Sequence, residues 1–384
     1  MIPFNSPPIV GTERRYLDAA LAGGGLSGSG GSFGLRCQEW LERALGSHRA
    51  LLTPSCTSAL ELAALLLDVG PGDEVIMPSY TFVSTATAFA LRGARVVFVD
   101  VRPDTMVLDE TLVEAAVTER TKVVVAVHYA GVACDLEVLA RVAGRHDLWV
   151  VEDAAQGLLA TQRGRPLGAV GHLGCLSFHE TKGFTAGGEG GALLVNDPSF
   201  ADRAEVLREK GTDRARFQRG EVSRYSWQDL GSSALMSELQ AAFLLAQFEA
   251  ADRISARRHE LWDAYREALG PVAEDGAFAL PTIPAHSGHN AHAFTLKLPG
   301  PAERARFLAD LAASGVLATF HFVPLHSSPA GRRFGRFHGV DRHTTDVSER
   351  VARLPLFLAM TDAQHRAVVD AVLRHHDRKG RHQP

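Results

Sequence analysis

The alternation of short apolar runs with amphipathic stretches between residues 50 and 196 limits the fold of this chain more than any other feature. Short apolar runs are typical of strands that are buried on both faces, as in a parallel sheet. The stretches between them have helical spacing, and one, residues 57–70, ends at a glycine. The predicted strands are residues 50–55, 73–80, 94–101, 121–129, 148–154, 173–179 and 191–196.

Repeated strand–helix units of this kind predict an α/β fold, with a mostly parallel central sheet and helices on both faces. Ligands of such sheets bind beyond the carboxyl ends of the strands. Polar residues that closely follow a predicted strand are therefore candidates for a functional site.

The pattern changes after about residue 200. Residues 199–211 and 237–270 have helical spacing, whereas residues 212–227 are polar without a clear period and are interpreted as a long loop. Shorter elements beyond these indicate a smaller α+β unit. We therefore predict a large domain with an N-terminal segment at residues 1–250 and a smaller C-terminal α+β domain at residues 251–384.

Bulk properties exclude several classes of protein. The 384 residues have a net charge of -4, so there is no general basic field of the kind that binds nucleic acid. The N-terminal residues lack the pattern of a signal peptide, and the apolar runs are too short to span a bilayer. Since no CxxC pair occurs, we expect reduced thiols and a cytoplasmic protein. The four scattered cysteines are Cys37, Cys56, Cys134 and Cys175.

Lys182 lies just past the predicted strand 173–179 and just before the glycine-rich residues 187–191. A lysine in a loop is usually solvated. Here the strand end is close to where an α/β sheet binds its ligands, and glycines allow close approach of the backbone. A lysine held in such a place can lose its proton and attack a carbonyl. The residues alone leave both interpretations open.

Asp153 ends the predicted strand 148–154. It could simply cap a following helix. If it is buried, it requires a cationic partner, and the protonated pyridine nitrogen of pyridoxal phosphate is one such partner. Gln156 is three residues further on and could hydrogen-bond a ring oxygen from the same cavity.

A phosphate group would need its own binding site. Thr57 and Ser58 begin a predicted helix that follows a strand, where free N–H groups and the helix dipole attract an anion. Ordinary helix capping is the alternative. Ser177 could add a third hydroxyl. Phe82 follows another strand end and could stack on an aromatic ring, although core packing is the simpler interpretation.

Two further patterns are weaker. Residues 23–28 match G-x-G-x-x-G, but they follow a helical stretch and not a strand, so a dinucleotide site is not predicted. His286, His289 and His292 are spaced three apart, yet Gly288 and the polar setting favour a loop. No carboxylate or thiol joins these histidines, so we predict no metal site.

Several motifs resemble the DegT/DnrJ/EryC1/StrS family of sugar aminotransferases: SCTSAL, PSYTFVST, VEDAAQG, SFHETKGFTAGGEGG and SSALMSELQAA. The resemblance covers nearly the whole chain. Within the family, further motifs resemble one subgroup, the dTDP-4-amino-4,6-dideoxygalactose transaminases. The resemblance implies the PLP-dependent transferase fold of aspartate aminotransferase (type I) and a pyridoxal 5'-phosphate cofactor.

The resemblance also implies a role for each matching position. Lys182 corresponds to the lysine that forms a Schiff base with the cofactor, and Asp153 to the partner of the pyridine nitrogen. The other implied cofactor contacts are Gln156 at the ring hydroxyl, Thr57, Ser58 and Ser177 at the phosphate, Phe82 on the ring, and His179. The implied substrate contacts are His326 and His321. Residues 23–31 resemble the glycine-rich segment at the mouth of the active site.

One position departs from the family pattern. Many members carry N-x-R-M before the helix that begins near residue 238, and the Asn contacts the cofactor phosphate of a second subunit. This chain has Ser233 and Leu235 at the Asn and Arg positions. The resemblance still implies a homodimer, or a dimer of dimers, with active sites at the interface. Arg214, Arg216 and Arg219 are candidates for binding the nucleotide diphosphate, or are simply solvated.

The implied reaction is amino transfer from L-glutamate to C4 of dTDP-4-keto-6-deoxy-D-glucose. The product would be a dTDP-4-amino-4,6-dideoxy hexose of galacto or gluco configuration. Alternatives are a C3 aminotransferase of a related nucleotide keto-sugar, a non-catalytic regulator that binds pyridoxal phosphate, and a nicotinamide-dependent oxidoreductase. The presence of both Lys182 and Asp153 disfavours the regulator.

Overall fold

The computed structural model describes the backbone of residues 1–380 and the side chains of residues 1–377. Its strands are β1 (Arg49–Thr53), β2 (Glu74–Pro78), β3 (Arg95–Val99), β4 (Thr121–Val127), β5 (Trp149–Asp153), β6 (Thr161–Gln162), β7 (Arg165–Pro166), β8 (Leu173–Ser177), β9 (Gly191–Val195), β10 (Ser287–Gly288), β11 (Phe294–Lys297), β12 (Gly335–Phe337) and β13 (Val351–Leu354). Its α-helices are α1 (Glu13–Ala22), α2 (Ser32–Leu45), α3 (Cys56–Leu66), α4 (Val83–Ala90), α5 (Val113–Ala116), α6 (Leu136–His146), α7 (Ala201–Arg208), α8 (Arg214–Gln218), α9 (Glu238–Glu249), α10 (Ala251–Glu274), α11 (Pro301–Ala313), α12 (Pro329–Phe334), α13 (Thr344–Arg350) and α14 (Asp362–Gly380).

The central sheet has eight strands in the order β1-β9-β8-β5-β4-β2-β3-β12. Strand β9 is antiparallel to both of its neighbours, and the other pairings are parallel. Most of the strand residues are buried because helices cover both faces. The prediction of an α/β fold with a mostly parallel sheet is confirmed, and each of the seven predicted strands is present.

Two predictions about the middle of the chain are wrong in detail. The predicted loop 212–227 contains the short helix α8, which a polar stretch without apolar periodicity does not reveal. The predicted continuous helix 237–270 is two helices, α9 and α10, because the backbone turns at Ala250. Helix α9 packs against α1 and α2, whereas α10 packs against α14. The two helices pack against different elements, and the local sequence does not reveal this difference.

The C-terminal part contains the antiparallel pair β11–β13, covered by α10, α11 and α14 around an apolar cluster of its own. It also contributes to the large sheet, since β12 pairs in parallel with β3. The N–H of Leu325 donates to the carbonyl of Ser79 at 3.0 Å. The carboxylate of Asp100 accepts from the N–H groups of residues 342–344. Contacts therefore cross the predicted boundary at residue 250, and that boundary stays a prediction.

The four cysteines are buried and unbonded to one another. In the described part of the chain, no helix combines the length and the apolarity that crossing a membrane requires.

Candidate active site

Lys182 lies in a tightly hydrogen-bonded turn after β8. Its own N–H donates to the carbonyl of His179 at 2.9 Å, and Glu180 N donates to Gly188 O at 2.8 Å. The imidazole Nδ1 of His179 accepts from Thr181 N at 3.1 Å and lies 2.8 Å from the Thr181 hydroxyl. His179 therefore shapes the turn that carries the lysine, and its predicted contact with a cofactor stays a prediction.

The amine of Lys182 is suited to nucleophilic chemistry. Burial lowers its pKa, and the positive charge of Arg353 acts in the same direction, against the opposing effects of Cys56 and Asp153. Among residues 1–377, the amine has no hydrogen-bond or ion-pair partner. The side chain is half-buried, so the amine is neither fully solvated nor neutralised by a contact. The interpretation of a solvated loop lysine is therefore disfavoured.

Asp153 is the buried last residue of β5. The hydroxyl of Thr85 donates to its Oδ2 at 2.6 Å, and Ala155 N donates to Oδ1 at 3.2 Å. The residues that follow form a turn and not an α-helix, so the alternative of a helix cap is wrong. The charge of Asp153 opposes the lowering of the Lys182 pKa, which places the acid and the lysine in one site.

Gln156 and Ser177 line one small cavity together with Lys182. The side-chain Oε1 of Gln156 accepts from Ala130 N at 2.7 Å, which fixes the orientation of the amide. A larger groove of about 1000 Å³ lies on the C-terminal part and shares no lining residue with this cavity. Lys182, the candidate nucleophile, lines the smaller cavity and not the larger groove.

The beginnings of α3 and α4 converge at the same edge of the sheet. The hydroxyl of Thr57 lies 2.7 Å from that of Ser84, so the first turns of the two helices are in contact. Ser58 N donates to the side chain of Ser55 at 3.1 Å, so capping is one function of this serine pair. Helix N-termini carry N–H groups without intrahelical acceptors and a positive partial charge. Two of them together favour an anion.

Gly191 allows this arrangement. A Cβ at this position would lie 2.4 to 2.6 Å from backbone atoms of Ser55 and Cys56. Only glycine therefore lets β9 pass so close to the start of α3.

Phe82 immediately precedes α4, and 58% of its surface is exposed. Its ring centroid is 6.3 Å from that of Phe322. The simpler interpretation, core packing, is therefore wrong. An exposed ring beside the two helix starts is available for stacking.

The two histidines predicted to contact substrate differ in their surroundings. Both ring nitrogens of His326 have partners, Ser79 Oγ at 2.7 Å and Asp341 at 3.2 Å. His321 lies 3.2 Å from the hydroxyl of Tyr129. Burial and the positive charges of Arg353 and Lys182 lower the pKa of His321 to about 2, so it is neutral at pH 7. The structure brings His321 close to Lys182, while contact of either histidine with substrate stays a prediction.

Sequence reasoning missed several residues that lie around Lys182. Thr85 binds Asp153, and Tyr129 binds His321. The charge of Lys182 contributes to the lowered pKa of buried His292, after desolvation. Tyr129 could have been found, because it ends the predicted strand 121–129 at this edge and lies two residues past the observed β4. His292 and Arg353 belong to the C-terminal part. His292 has a local signal only as a member of a histidine spacing for which no metal site is predicted, and Arg353 has none.

Two other sequence features lie on the surface: the candidate arginines, in and just after α8, and the glycine-rich residues 23–31. The predicted nucleotide-binding arginines all form ion pairs: Arg214 with Glu209, Arg216 with Glu221, and Arg219 with Glu205 and Glu221. Residues 23–31 pack on the segment that follows Ser233. A Cβ on Gly28 would lie 1.8 Å from the carbonyl oxygen of Met236. The glycine-rich segment is therefore fixed against the start of α9.

The comparison with known proteins agrees with this geometry. The profile of the DegT/DnrJ/EryC1/StrS aminotransferase family matches residues 9–373. The chain belongs to this family. Like other family members it is a sugar aminotransferase, an enzyme that depends on pyridoxal phosphate.

Individual relatives extend over the whole chain. The spore coat polysaccharide biosynthesis protein SpsC of Bacillus subtilis is 32% identical over 97% of this chain and 96% of its own length. The aminotransferase TlmJ from Streptoalloteichus hindustanus is 29% identical with a TM-score of 0.89, covering 99% of this chain and all of that chain. DesV from S. venezuelae, whose structure holds a ketimine intermediate, is 29% identical with a TM-score of 0.87, covering 97% and 98%.

The residues present fit the cofactor of the family. The unpaired amine of Lys182 can bind an aldehyde, and the oriented carboxylate of Asp153 can pair with a protonated ring nitrogen. The starts of α3 and α4 offer a site for a phosphate dianion. The individual assignments of Thr57, Ser58, Ser177, Gln156 and Phe82 as contacts stay predictions.

Proposed function

We propose that this aminotransferase moves the amino group of L-glutamate to C4 of dTDP-4-keto-6-deoxy-D-glucose. The product is a dTDP-4-amino-4,6-dideoxy hexose, with the galacto epimer expected first. The observation that supports amino transfer is the unpaired, half-buried amine of Lys182 beside the buried carboxylate of Asp153. The sugar is proposed from motifs that resemble one subgroup of the family, including PLHSSPAG at 324–331.

When bound, pyridoxal phosphate supplies an aldehyde and a ring that accepts the electron pair of a deprotonated carbon. Lys182 would hold the cofactor through its amine. Once freed by the donor, this amine removes the proton from the donor's α-carbon as a general base. Its lowered pKa helps, because a larger share of the amine is unprotonated at neutral pH. The same amine would deliver this proton to the cofactor carbon that carried the aldehyde. In the second half of the cycle it would carry a proton from that carbon to C4 of the sugar.

Asp153 would keep the ring nitrogen protonated, because it offers a carboxylate whose orientation is fixed. Its two oxygens are held by different donors, Thr85 and Ala155. Neutral His321 and buried Tyr129 are uncharged hydrogen-bonding groups at the same site, suited to the hydroxyls of a sugar.

We further propose that the working form is a homodimer. Exposed apolar side chains cluster in the segment 217–230, where Trp227 is 78% exposed and Leu230 is 57% exposed. Phe82 is exposed at the site itself. Exposed apolar patches of this kind mark interaction surfaces. Trp227→Glu should raise the fraction of monomer in sedimentation velocity relative to Arg333→Gln, and an unchanged distribution would contradict the assignment of this face.

The proposed function is tested by incubating the purified enzyme with L-glutamate and a set of nucleotide keto-sugars. NMR of the product identifies the aminated carbon and its configuration. Amination at C3 would overturn the proposed regiochemistry, and a gluco product would correct the epimer. Lys182→Ala should abolish turnover, and wild-type turnover by this variant would refute the assignment of the lysine.

Membership of an aminotransferase family disfavours the alternative of a non-catalytic regulator. One relative, from Geobacillus stearothermophilus, is nevertheless named a pleiotropic regulatory protein. That function requires no free amine at Lys182. Failure of the wild-type enzyme to aminate any keto-sugar in the presence of cofactor and glutamate would favour this alternative.

A further inference from the structure

His292 is a buried histidine whose imidazole has no partner. Only 8% of its surface is exposed. Among the described residues, neither ring nitrogen has a hydrogen bond or an ion pair, and neither belongs to the polar atoms that protein atoms enclose completely. Burial, and then the charge of Lys182, lowers the pKa of His292 well below its ordinary value, so the ring is neutral at pH 7. An unpaired polar group removed from water is costly, which indicates that the imidazole binds a small molecule.

A cavity of about 20 Å³ is lined by both His292 and Lys182. This volume suits a single water molecule, which needs about 10–15 Å³ and typically about three polar partners. Further polar side chains in the wall of the cavity are those of Gln156, Ser177, Ser255, Arg258 and Asn290. The other predicted cofactor contacts, which do not line it, are Thr57, Ser58, Phe82, Asp153 and His179. The cavity therefore adjoins the space for the cofactor ring and is not that space itself.

The loop that carries His292 is fixed by hydrogen bonds on both sides. The side-chain Nδ2 of Asn290 donates to the carbonyls of residues 156 and 158 at 2.9 and 2.8 Å, and its Oδ1 accepts from His292 N at 3.1 Å. The guanidinium of Arg258 donates to the carbonyls of residues 291 and 292 at distances of 2.7 to 3.2 Å. The imidazole is thus held in one place, as the positioning of a reactant requires.

We propose that His292 binds the water molecule that the reaction consumes and releases beside Lys182, an inference that rests on the proposed function. With the cofactor held by Lys182 at rest, conversion of L-glutamate to 2-oxoglutarate consumes one water, and amination of the keto-sugar releases one. The oxygen of the consumed water becomes the keto oxygen of 2-oxoglutarate, while the bond from that carbon to nitrogen breaks. Both protons of the water pass through the amine of Lys182 to the nitrogen that stays with the enzyme.

The neutral imidazole suits this role because it has one acceptor and one donor nitrogen. The acceptor takes a hydrogen bond from the water and turns its oxygen toward the reacting carbon. The low pKa of His292 makes it the weaker base, so it orients the water and leaves the proton transfer to Lys182.

The test compares two processes in enzyme loaded with pyridoxal phosphate and mixed with L-glutamate and 2-oxoglutarate in heavy water. Loss of the α-proton signal of glutamate reports proton removal by Lys182, which needs no water molecule in the cavity. Transfer of an isotopic carbon label from 2-oxoglutarate to glutamate requires the water step as well. His292→Phe removes both ring nitrogens and keeps an aromatic ring. We expect label transfer to fall roughly 10- to 100-fold, while proton exchange changes less than about threefold.

Two further variants separate this role from a merely structural one. His292→Gln keeps a donor and an acceptor, so it should recover a large part of the label transfer. His365→Phe is the matched control, because His365 is also buried in the C-terminal part but lies 3.0 Å from the carbonyl of Leu261 and does not line the cavity. It should change exchange and label transfer by the same factor.

A second readout does not depend on turnover. A crystal structure of the enzyme without substrate should show an ordered water within hydrogen-bond distance of the His292 imidazole, and the structure of His292→Phe should lack it. An imidazole bound directly to the cofactor, with no water between them, would overturn the proposal.

The kinetic outcomes are equally distinct. Equal losses of proton exchange and label transfer in His292→Phe would contradict a role in the water step, and so would no change in either process. Absence of both processes in the wild-type enzyme would refute L-glutamate as the donor, and with it the proposed function.

Discussion

Replacing Thr85 with valine tests how the site orients its key carboxylate. Thr85 is fully buried in α4, and its hydroxyl donates to Asp153 Oδ2 at 2.6 Å. The same hydroxyl lies 2.8 Å from that of Thr81, which can donate to it. Valine has nearly the same shape but no hydroxyl, so Thr85→Val removes one donor from Asp153 and one acceptor from Thr81 without opening a cavity.

The magnitude follows from the bond that is lost. A hydrogen bond to a charged group contributes about 1.5–3 kcal/mol. A free-energy difference of about 1.4 kcal/mol corresponds to a factor of ten. Loss of this bond should therefore weaken cofactor binding and lower kcat/KM by factors whose product is roughly 10 to 100. The remaining donor to Asp153, Ala155 N at 3.2 Å, is longer and does not replace the hydroxyl.

The assay combines urea denaturation, titration of the apoenzyme with pyridoxal phosphate, and kcat/KM for the glutamate half-reaction. Thr87→Val is the matched control, because Thr87 is exposed on the same helix. If Thr85→Val matched this control in stability, cofactor affinity and rate, Asp153 would not depend on Thr85 for its orientation, and the reasoning would be refuted.

Buried Glu152 accepts hydrogen bonds from His128 and from the N–H groups of residues 168, 170 and 171. Because Glu152→Gln removes the charge from this buried network, it should lower the free energy of unfolding by about 3–5 kcal/mol, measured by urea denaturation. Burial alone would raise the pKa of Glu152, but these donors and the nearby His128 lower it from its ordinary value. Its contribution to stability is therefore present above the ordinary pKa of a glutamate and is lost as the pH falls through the lowered pKa. Glu152→Gln should therefore flatten the acid limb of stability against pH, and an unchanged slope would contradict this. Gly28→Ala should destabilise the protein by more than about 1 kcal/mol, because its Cβ would clash with Met236, whereas Gly25→Ala meets no atom within 4 Å and should not. Equal melting temperatures for the two glycine variants would disprove the close contact.

The strands of the large sheet could be predicted because their signal is local. A strand buried on both faces is a continuous apolar run, as in β4. Asp153 ends β5 and Lys182 follows the parallel strand β8, so both lie at the same edge of the sheet. The three residues of β12, GRF, have no such signal, since their pairing depends on a chain segment more than 200 positions away from β3.

The residues of the site likewise divide into those with a local sequence signal and those without one. Residues that follow strands of the large sheet could be identified from sequence. The break at Ala250 and the placement of His292 and Arg353 depend on how the last third of the chain packs. His326 has a recognisable motif, yet the motif does not reveal that Ser79 and Asp341 occupy both of its ring nitrogens. The motif alone therefore suggested more freedom for this imidazole than the fold allows.

Strand β12 pairs with the outer edge of β3, so the N-terminal and C-terminal parts of the chain share one sheet. They are therefore not connected by a single hinge. Swinging the C-terminal half as a rigid lid would break this ladder and release the backbone groups that Asp100 holds. We therefore expect the catalytic cleft to open and close by movement of short surface segments. A chain truncated at residue 250 would lack β12, so the edge of β3 would be unpaired and exposed. We expect such a chain to aggregate.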